Sequence, residues 1–320
     1  MRSEPIGRVI AALPGEPGVY RFRDDRGRAI YLGRATDLRH RVASYWGDLG
    51  DRRHLRRMVP QVTRIEALPC DSVHEATWLE RNLLETSKPR WNRVRGGLEV
   101  PTYVTLTRTA TAARLGVVHS PVGAGVPGAP GAPDGTGVRT FGPYLGGTRS
   151  RLAVDGLDRA LGLAYAGDRL GGFDRDMARV RGVSALERTA RAELAAAALV
   201  GEPAALAQVT QCLVARRDEA AAALAFEVAA KIQAEIAALA WLTAPQRVTV
   251  DGGPDADVAG WCDGILVRLE VHGGRLTRWQ ERSVTRASAA PLLEATPPTW
   301  ADFAERAARQ AAALRAAAAR

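Results

Sequence analysis

The sequence predicts an α+β protein: a small amino-terminal domain with a short, mainly antiparallel sheet flanked by helices, then an α-rich hairpin region and a small β-containing carboxy-terminal segment. Three observations carry this. Val19-Tyr20-Arg21-Phe22-Arg23 alternates apolar and basic residues, Asp24 to Gly27 makes a turn, and Ala29-Ile30-Tyr31-Leu32-Gly33 is a second apolar run, together a β-hairpin. From Leu186 to Leu242 nearly every residue is a helix former. Val258 to Glu281 then returns to β character around a turn at Gly273-Gly274.

The elements follow in order. Pro5 to Ala12 starts a short helix, and Pro14-Gly15-Glu16-Pro17-Gly18 turns the chain into the hairpin. After Gly33, Thr36 or Asp37 caps a helix through about Tyr45 with Leu38, Val42 and Tyr45 on one face. Val62 to Pro69 is a third strand. Ser72 opens a helix with Glu75 three residues on, a capping box, and Ala76, Leu79, Leu83 and Leu84 form its apolar stripe until Pro89 ends it. Tyr103-Val104-Thr105-Leu106 and Val117-Val118 are further strands, and 121–137 is a Gly/Pro/Ala loop with no packed core.

Phe141-Gly142-Pro143-Tyr144 resumes ordered structure, followed by a helix near Arg149 to Leu163. A helical hairpin turns near Ala221 to Ala223, with Phe226, Ala229, Ala230, Ile232, Gln233, Ile236 and Leu239 close to one face of its second arm. Trp300 to Arg320 is an Ala/Arg helix expected to be solvated. The domain boundaries that result are 1–98, 99–182, 183–244 and 245–320.

At 320 residues the chain exceeds the roughly 100–200 residues of one domain. The formal net charge is +9, carried almost wholly by arginine, since Lys88 and Lys231 are the only lysines. Residues 1–100 hold 19 basic and 13 acidic side chains, a net of +6, which favours a polyanion because arginine forks match phosphate oxygens. No run approaches the ~20 apolar residues of a membrane span, and Met1 to Gly15 lacks a signal-peptide core. A cytoplasmic address is expected. Cys70, Cys212 and Cys262 lie far apart without a Cys-x-x-Cys pair, so no disulfide framework and no cysteine-built metal site is readable.

Hydrolysing a phosphodiester requires an activated water, a cation against the growing negative charge and support for the leaving oxygen. Tyr20 and Tyr31 lie on the two arms of one hairpin, where their hydroxyls can share a face. A free phenol titrates near ~10, so either needs a metal-bound water or nearby arginines to act as a base. Arg34 and Arg41 can supply that field and grip phosphate. Glu80 can hold a hard metal through its carboxylate and leave other positions to water and substrate. His54 and His74 read as ordinary exposed histidines, and Asp255, Asp257 and Asp263 as loop and strand-end residues.

Gly18-Val19-Tyr20, Tyr31-Leu32-Gly33, Arg34, Arg41, Tyr45 and Leu79-Glu80-x-Asn82-Leu83 ending in Lys88-Pro89-Arg90-Trp91-Asn92 resemble the GIY-YIG nucleases, and more narrowly the amino-terminal nuclease of the UvrC family of nucleotide excision repair. In that family the domain cuts DNA on the 3′ side of a lesion. The resemblance implies a catalytic set of Tyr20, Tyr31, Arg34, Arg41, Tyr45, Glu80 and Asn92. Glu80 would be the ligand of one Mg²⁺ or Mn²⁺, and Arg34, Arg39, Arg41, Arg53 and Arg90 would meet DNA. Arg34 stands where the family has lysine, keeping charge but not shape, and Trp91 replaces a usual tyrosine.

Beyond the nuclease, Arg139-Thr140-Phe141-Gly142-Pro143-Tyr144 is similar to a segment that follows that domain in the family. Residues 224–239 look like a degraded UVR hairpin, the element that docks UvrB. Phe226-Glu227-x-Ala229-Ala230 fits, but Gln233-Ala234 replaces the expected Arg-Asp pair, which implies a weakened contact. The family's cysteine cluster has no counterpart between Asp71 and Gln211, so no iron-sulfur cluster is expected. Val258 to Glu281 resembles only the lead-in to the family's second nuclease. The expectation is a single-incision, Cho-like endonuclease, with a non-catalytic DNA-binding or scaffold protein as the alternative.

Overall fold

The structure, a computed structural model, describes residues 4–47, 55–93, 99–120 and 137–320. Arg53, His54 and all of the Gly/Pro/Ala loop except Gly137 lie outside the described residues. The chain divides into two compact units, one formed by Met1–Glu99 with Pro245–Arg320 and the other by Val100–Ala244.

The first unit begins with helix α1 (Glu4–Ala11), strands β1 (Gly18–Arg23) and β2 (Ala29–Ala35), helix α2 (Leu38–Ala43), strand β3 (Arg64–Pro69) and helix α3 (Val73–Thr86). The sheet order is β2-β1-β3, with both pairings antiparallel. Asp37 caps α2 by accepting from the His40 N–H at 2.7 Å. The helix expected to reach Tyr45 stops at Ala43, and a 3-10 turn over Ser44–Trp46 carries Tyr45 inward. At the start of α3, Ser72 accepts from the Glu75 N–H at 3.0 Å, as a capping box requires. The reciprocal arm differs: Glu75 reaches the Asp71 N–H at 2.7 Å, one residue before the cap.

The second unit holds the sheet β5-β4-β6, built from β4 (Thr102–Arg108), β5 (Ala113–Val118) and β6 (Gly137–Tyr144). Five helices follow: α4 (Gly147–Leu161), α5 (Gly172–Val180), α6 (Arg188–Leu199), α7 (Pro203–Ala222) and α8 (Phe226–Leu242). Val104, Leu106, Phe141 and Leu157 share one core with Leu213, Ile232 and Leu239. The α7–α8 hairpin turns at Leu224, whose φ is +59°. Of the face expected on its second arm, Ile232 and Leu239 are buried and Ala229 and Ile236 half-buried, while Phe226, Ala230 and Gln233 are exposed; Glu235, Ala238 and Leu242 also face inward. The buried carboxylate of Glu235 makes that register tenable because Arg159 on α4 grips both its oxygens, at 2.6 and 2.9 Å.

The chain then returns to the first unit as the meander β7 (Ala256–Cys262), β8 (Ile265–His272) and β9 (Arg275–Ser283), followed by α9 (Arg286–Glu294) and α10 (Pro298–Ala319). Residues 245–320, set apart in the sequence reading, share this unit with 1–99. The terminal helix is not solvated. Phe303, Ala304, Ala307, Ala308, Ala311, Ala312 and Leu314 are buried, and the small stripe lets neighbouring backbone come close. A Cβ on Gly260 of β7 would overlap the Ala304 carbonyl. Leu314 joins the core formed by Val9, Ile10, Tyr20 and Phe22.

Polar groups weld the returning segment on. Asn82, fully buried on α3, donates to the Val248 carbonyl at 3.1 Å and to Thr249 Oγ1 at 2.9 Å. Glu75 accepts from the Arg247 N–H at 2.9 Å, and Asp71 pairs with both Arg247 and Arg306. Arg21, in the alternating run of β1, faces no solvent: it pairs with Glu66 and lies 4.2 Å from the Trp279 ring centroid. His74 is likewise buried rather than exposed, accepting from Trp78 Nε1 at 3.1 Å. Asp257 pairs with Arg268, and Asp255 accepts from the Gly273 N–H.

Candidate active site

Three tyrosines meet on one face of the β1–β2 hairpin. Phe22 pairs with Tyr31 across the strands and Tyr20 pairs with Gly33, so Tyr20 and Tyr31 sit diagonally on the same face. The turn after α2 brings Tyr45 over them, with ring centroids 5.9 Å from Tyr20 and 5.8 Å from Tyr31. The cluster exists because Gly33 has no side chain. A Cβ there would stand 2.6 Å from the Tyr20 hydroxyl and 3.0 Å from the Tyr31 ring. Gly18 answers the same need at the strand's other end, where a Cβ would stand 2.5 Å from the Leu68 carbonyl.

The hydroxyls form a chain. Tyr20 Oη lies 2.6 Å from Tyr45 Oη, Tyr45 also bonds Tyr31, and the Arg41 guanidinium reaches Tyr20. Burial pushes all three phenols above their ordinary value, and Arg41 only partly offsets that. At neutral pH they are hydroxyls, able to donate and accept, rather than phenolates.

Glu80 stands on α3, held by the Ser72 cap and by Leu79 and Leu83 packed below it. Its carboxylate is 21% exposed and accepts from Arg34 at 3.0 Å. Burial raises its pKa despite that arginine. Its charge is felt by Tyr31, and Arg41 in turn acts on it, so the hydroxyl chain and the carboxylate converge.

The remaining candidates divide. Asn92 makes two bonds to one backbone residue, accepting from the Leu32 N–H at 3.0 Å and donating to the Leu32 carbonyl at 2.7 Å. It fixes the strand between Tyr31 and Gly33, which is a positioning role. Arg39 spends its Nε on the Leu13 carbonyl at 2.7 Å, and exposed Arg90 bonds Gln61. Asn82, part of the α3 motif, is the residue whose role the sequence did not disclose: its partners lie more than 160 positions away. Its spacing two after Glu80 put it off the catalytic face, the one signal available.

Residues 16–93 match the family model described as the UvrC-like GIY-YIG domain. The amino-terminal domain is a UvrC-like GIY-YIG domain. Over 300 residues the chain is 32% identical to UvrABC system protein C of Mycolicibacterium paratuberculosis, covering 88% of this chain and 44% of that protein. The corresponding protein of Rhodococcus jostii is 31% identical over 288 residues, covering 84% of this chain and 37% of its own length. The chain thus spans less than half the length of these relatives. The magnesium-bound GIY-YIG endonuclease domain of UvrC from Thermotoga maritima is 29% identical, covering 29% of this chain and 99% of that one, with a TM-score of 0.26.

Whether the GIY-YIG domain suits a divalent cation turns on Glu80. It is a hard oxygen donor in a partly desolvated place, and burial raises its pKa despite Arg34 beside it. Among the described residues no group of three His, Cys, Asp or Glu side chains stands ready to ligate. Water and substrate oxygens would complete the shell, the arrangement magnesium favours. The donor set therefore fits one exchangeable hard cation.

Proposed function

We propose that this chain is a metal-dependent DNA endonuclease that hydrolyses one phosphodiester per site, making a single incision in a UvrC-like repair role in the cytoplasm. The observation that carries it is the convergence of the Tyr20, Tyr45 and Tyr31 hydroxyls with Arg41 at the Glu80 carboxylate. Mg²⁺ or Mn²⁺ held by Glu80 would neutralise charge on the scissile phosphate and acidify a bound water.

The chain's own groups do the rest. Tyr31, the partly exposed member of the cluster, orients the attacking water through its Oη, and burial keeps it neutral until the proton is in flight. Tyr45 and Tyr20 hold that hydroxyl in place, and Arg41 meets the negative charge that develops along them. Arg34, paired with Glu80 at rest, turns to a phosphate oxygen when DNA arrives. Arg90 extends the basic contact and Arg39 contributes its unspent N–H groups, with Arg53 completing the set. Asn92 keeps Tyr31 in register through Leu32.

Conversion of supercoiled plasmid to open circles tests this. Nicking that requires Mg²⁺ or Mn²⁺ and disappears in Glu80→Ala is expected; equal nicking by that variant overturns the assignment of Glu80. A second reading, a scaffold that docks a repair partner, is favoured by exposed Leu224, Phe226 and Val228 around the tip of the α7–α8 hairpin. UvrB is the partner the likeness suggests through residues 224–239. With Gln233-Ala234 in place of an Arg-Asp pair, a pull-down is expected to recover little, and tight saturable capture would show the hairpin intact as a dock.

A further inference from the structure

A cavity apart from the tyrosines and Glu80 lies in the carboxy-terminal part of the first unit. It holds about 450 Å³, and its walls include Trp261 of β7, Arg286 and Leu293 of α9, and Glu305 and Arg309 of α10. That volume lies within the roughly 300–1,000 Å³ of small-molecule sites. The Trp261 indole is fixed by its Nε1–H bond to the Val284 carbonyl at 3.0 Å. The Arg286 guanidinium sits 5.7 Å from its ring centroid.

Neither Arg286 nor Arg309 has an ion-pair partner among the described residues, whereas Arg247, Arg268 and Arg306 of the same unit all do. An immobilised indole beside two guanidiniums without carboxylate partners suits a ligand that is flat and aromatic at one end and anionic at the other. Glu305 disfavours a bare anion in the same space and supplies an acceptor for a base-edge N–H.

We propose that this cavity binds one unstacked nucleotide of single-stranded DNA, with its base against Trp261 and its flanking phosphates on Arg286 and Arg309. The choice of a deoxynucleotide rests on the endonuclease reading; the site itself does not involve Glu80 or the tyrosines. A base held in a duplex stack cannot enter, so the cavity favours strands opened near the incision.

The test is fluorescence anisotropy of a labelled 15-mer of dT and of a blunt duplex, in EDTA, with the full chain. EDTA removes cleavage from the measurement, so a failed nicking assay leaves it interpretable. Trp261→Ala is expected to weaken the single strand about tenfold, in line with the loss of one base stack, while Trp261→Phe retains most of the affinity. The Arg286→Ala/Arg309→Ala pair changes two exposed side chains and leaves the core intact. It is expected to weaken the single strand similarly and to lower the salt slope by roughly 1.4, two phosphate contacts at about 0.7 each. Duplex affinity should change less than twofold. Unchanged single-strand binding in all three variants overturns the proposal, as does an equal loss for duplex and single strand.

Discussion

Replacing Gly33 by alanine probes how far the tyrosine cluster depends on one missing side chain. The added Cβ would stand 2.6 Å from Tyr20 Oη, 2.8 Å from its Cζ and 3.0 Å from Tyr31 Cε1. Tyr20 is wholly buried and hemmed by Phe22 at 5.3 Å between centroids, so its ring cannot swing to solvent. Overpacking of this kind costs about 1–3 kcal/mol. In a unit of 175 residues, 99 from the first segment and 76 from the second, that lowers Tm by roughly 2–12 °C. Displacing the reacting hydroxyls by up to an ångström costs nicking on the order of a hundredfold. The control is Gly7→Ala in α1, where a Cβ meets nothing within 4 Å; it is expected to stabilise by about 0.5–1 kcal/mol with nicking unchanged. Thermal melts and plasmid nicking read both variants. A Gly33→Ala protein with wild-type Tm and wild-type nicking would refute the steric account of the glycine.

Other expectations are shorter. Tyr31→Phe removes the partly exposed hydroxyl and should cut nicking by about a hundredfold or more with little change in Tm. Burial raises the Glu80 pKa, so folding favours its protonated form. Its contribution is therefore fully present below the unfolded carboxylate value and is lost as pH rises through the raised one. Glu80→Gln should accordingly gain stability relative to wild type at pH 7 in EDTA and lose that advantage at pH 4, checked by paired melts. Arg34→Ala removes a competitor for the carboxylate and should lower the Mn²⁺ concentration at half-saturation in calorimetry, with a Tm change within that of a surface ion pair, about 0–1 kcal/mol. Asn82→Ala takes away the bond to the buried Thr249 hydroxyl and one of the two to the Val248 carbonyl, which keeps the Leu276 N–H, and should cost about 1–3 kcal/mol in denaturant unfolding.

The sequence disclosed what is local. The hairpin is written in alternation and turn residues, and the α3 cap in Ser72 and Glu75, because those signals lie within a few residues of the structure they specify. The site was legible for the same reason: Tyr20 and Tyr31 flank one turn. What escaped was long-range. Arg21 reads as a solvent-facing strand residue, and only Trp279 and Glu66, brought in from elsewhere, make its burial sensible. The α10 stripe is alanine, too weakly hydrophobic to announce a core, and its burial follows from close backbone approach at Gly260. Phe226 is the reverse case, an exposed aromatic on the same helix that buries the carboxylate of Glu235, compensated by Arg159. Asn92 illustrates a subtler limit: the motif located it, but only its bonds to Leu32 give it a positioning part.

The most direct measurement is cleavage of a duplex carrying one defined lesion, labelled on both strands, with cut sites mapped in Mg²⁺ for the wild type and Glu80→Ala. One metal-dependent cut on the 3′ side of the lesion, absent in the variant, is the result expected of a single incision centre built on Tyr31, Arg41 and Glu80. No cut in Mg²⁺ or Mn²⁺, or cuts that persist in Glu80→Ala, would contradict it.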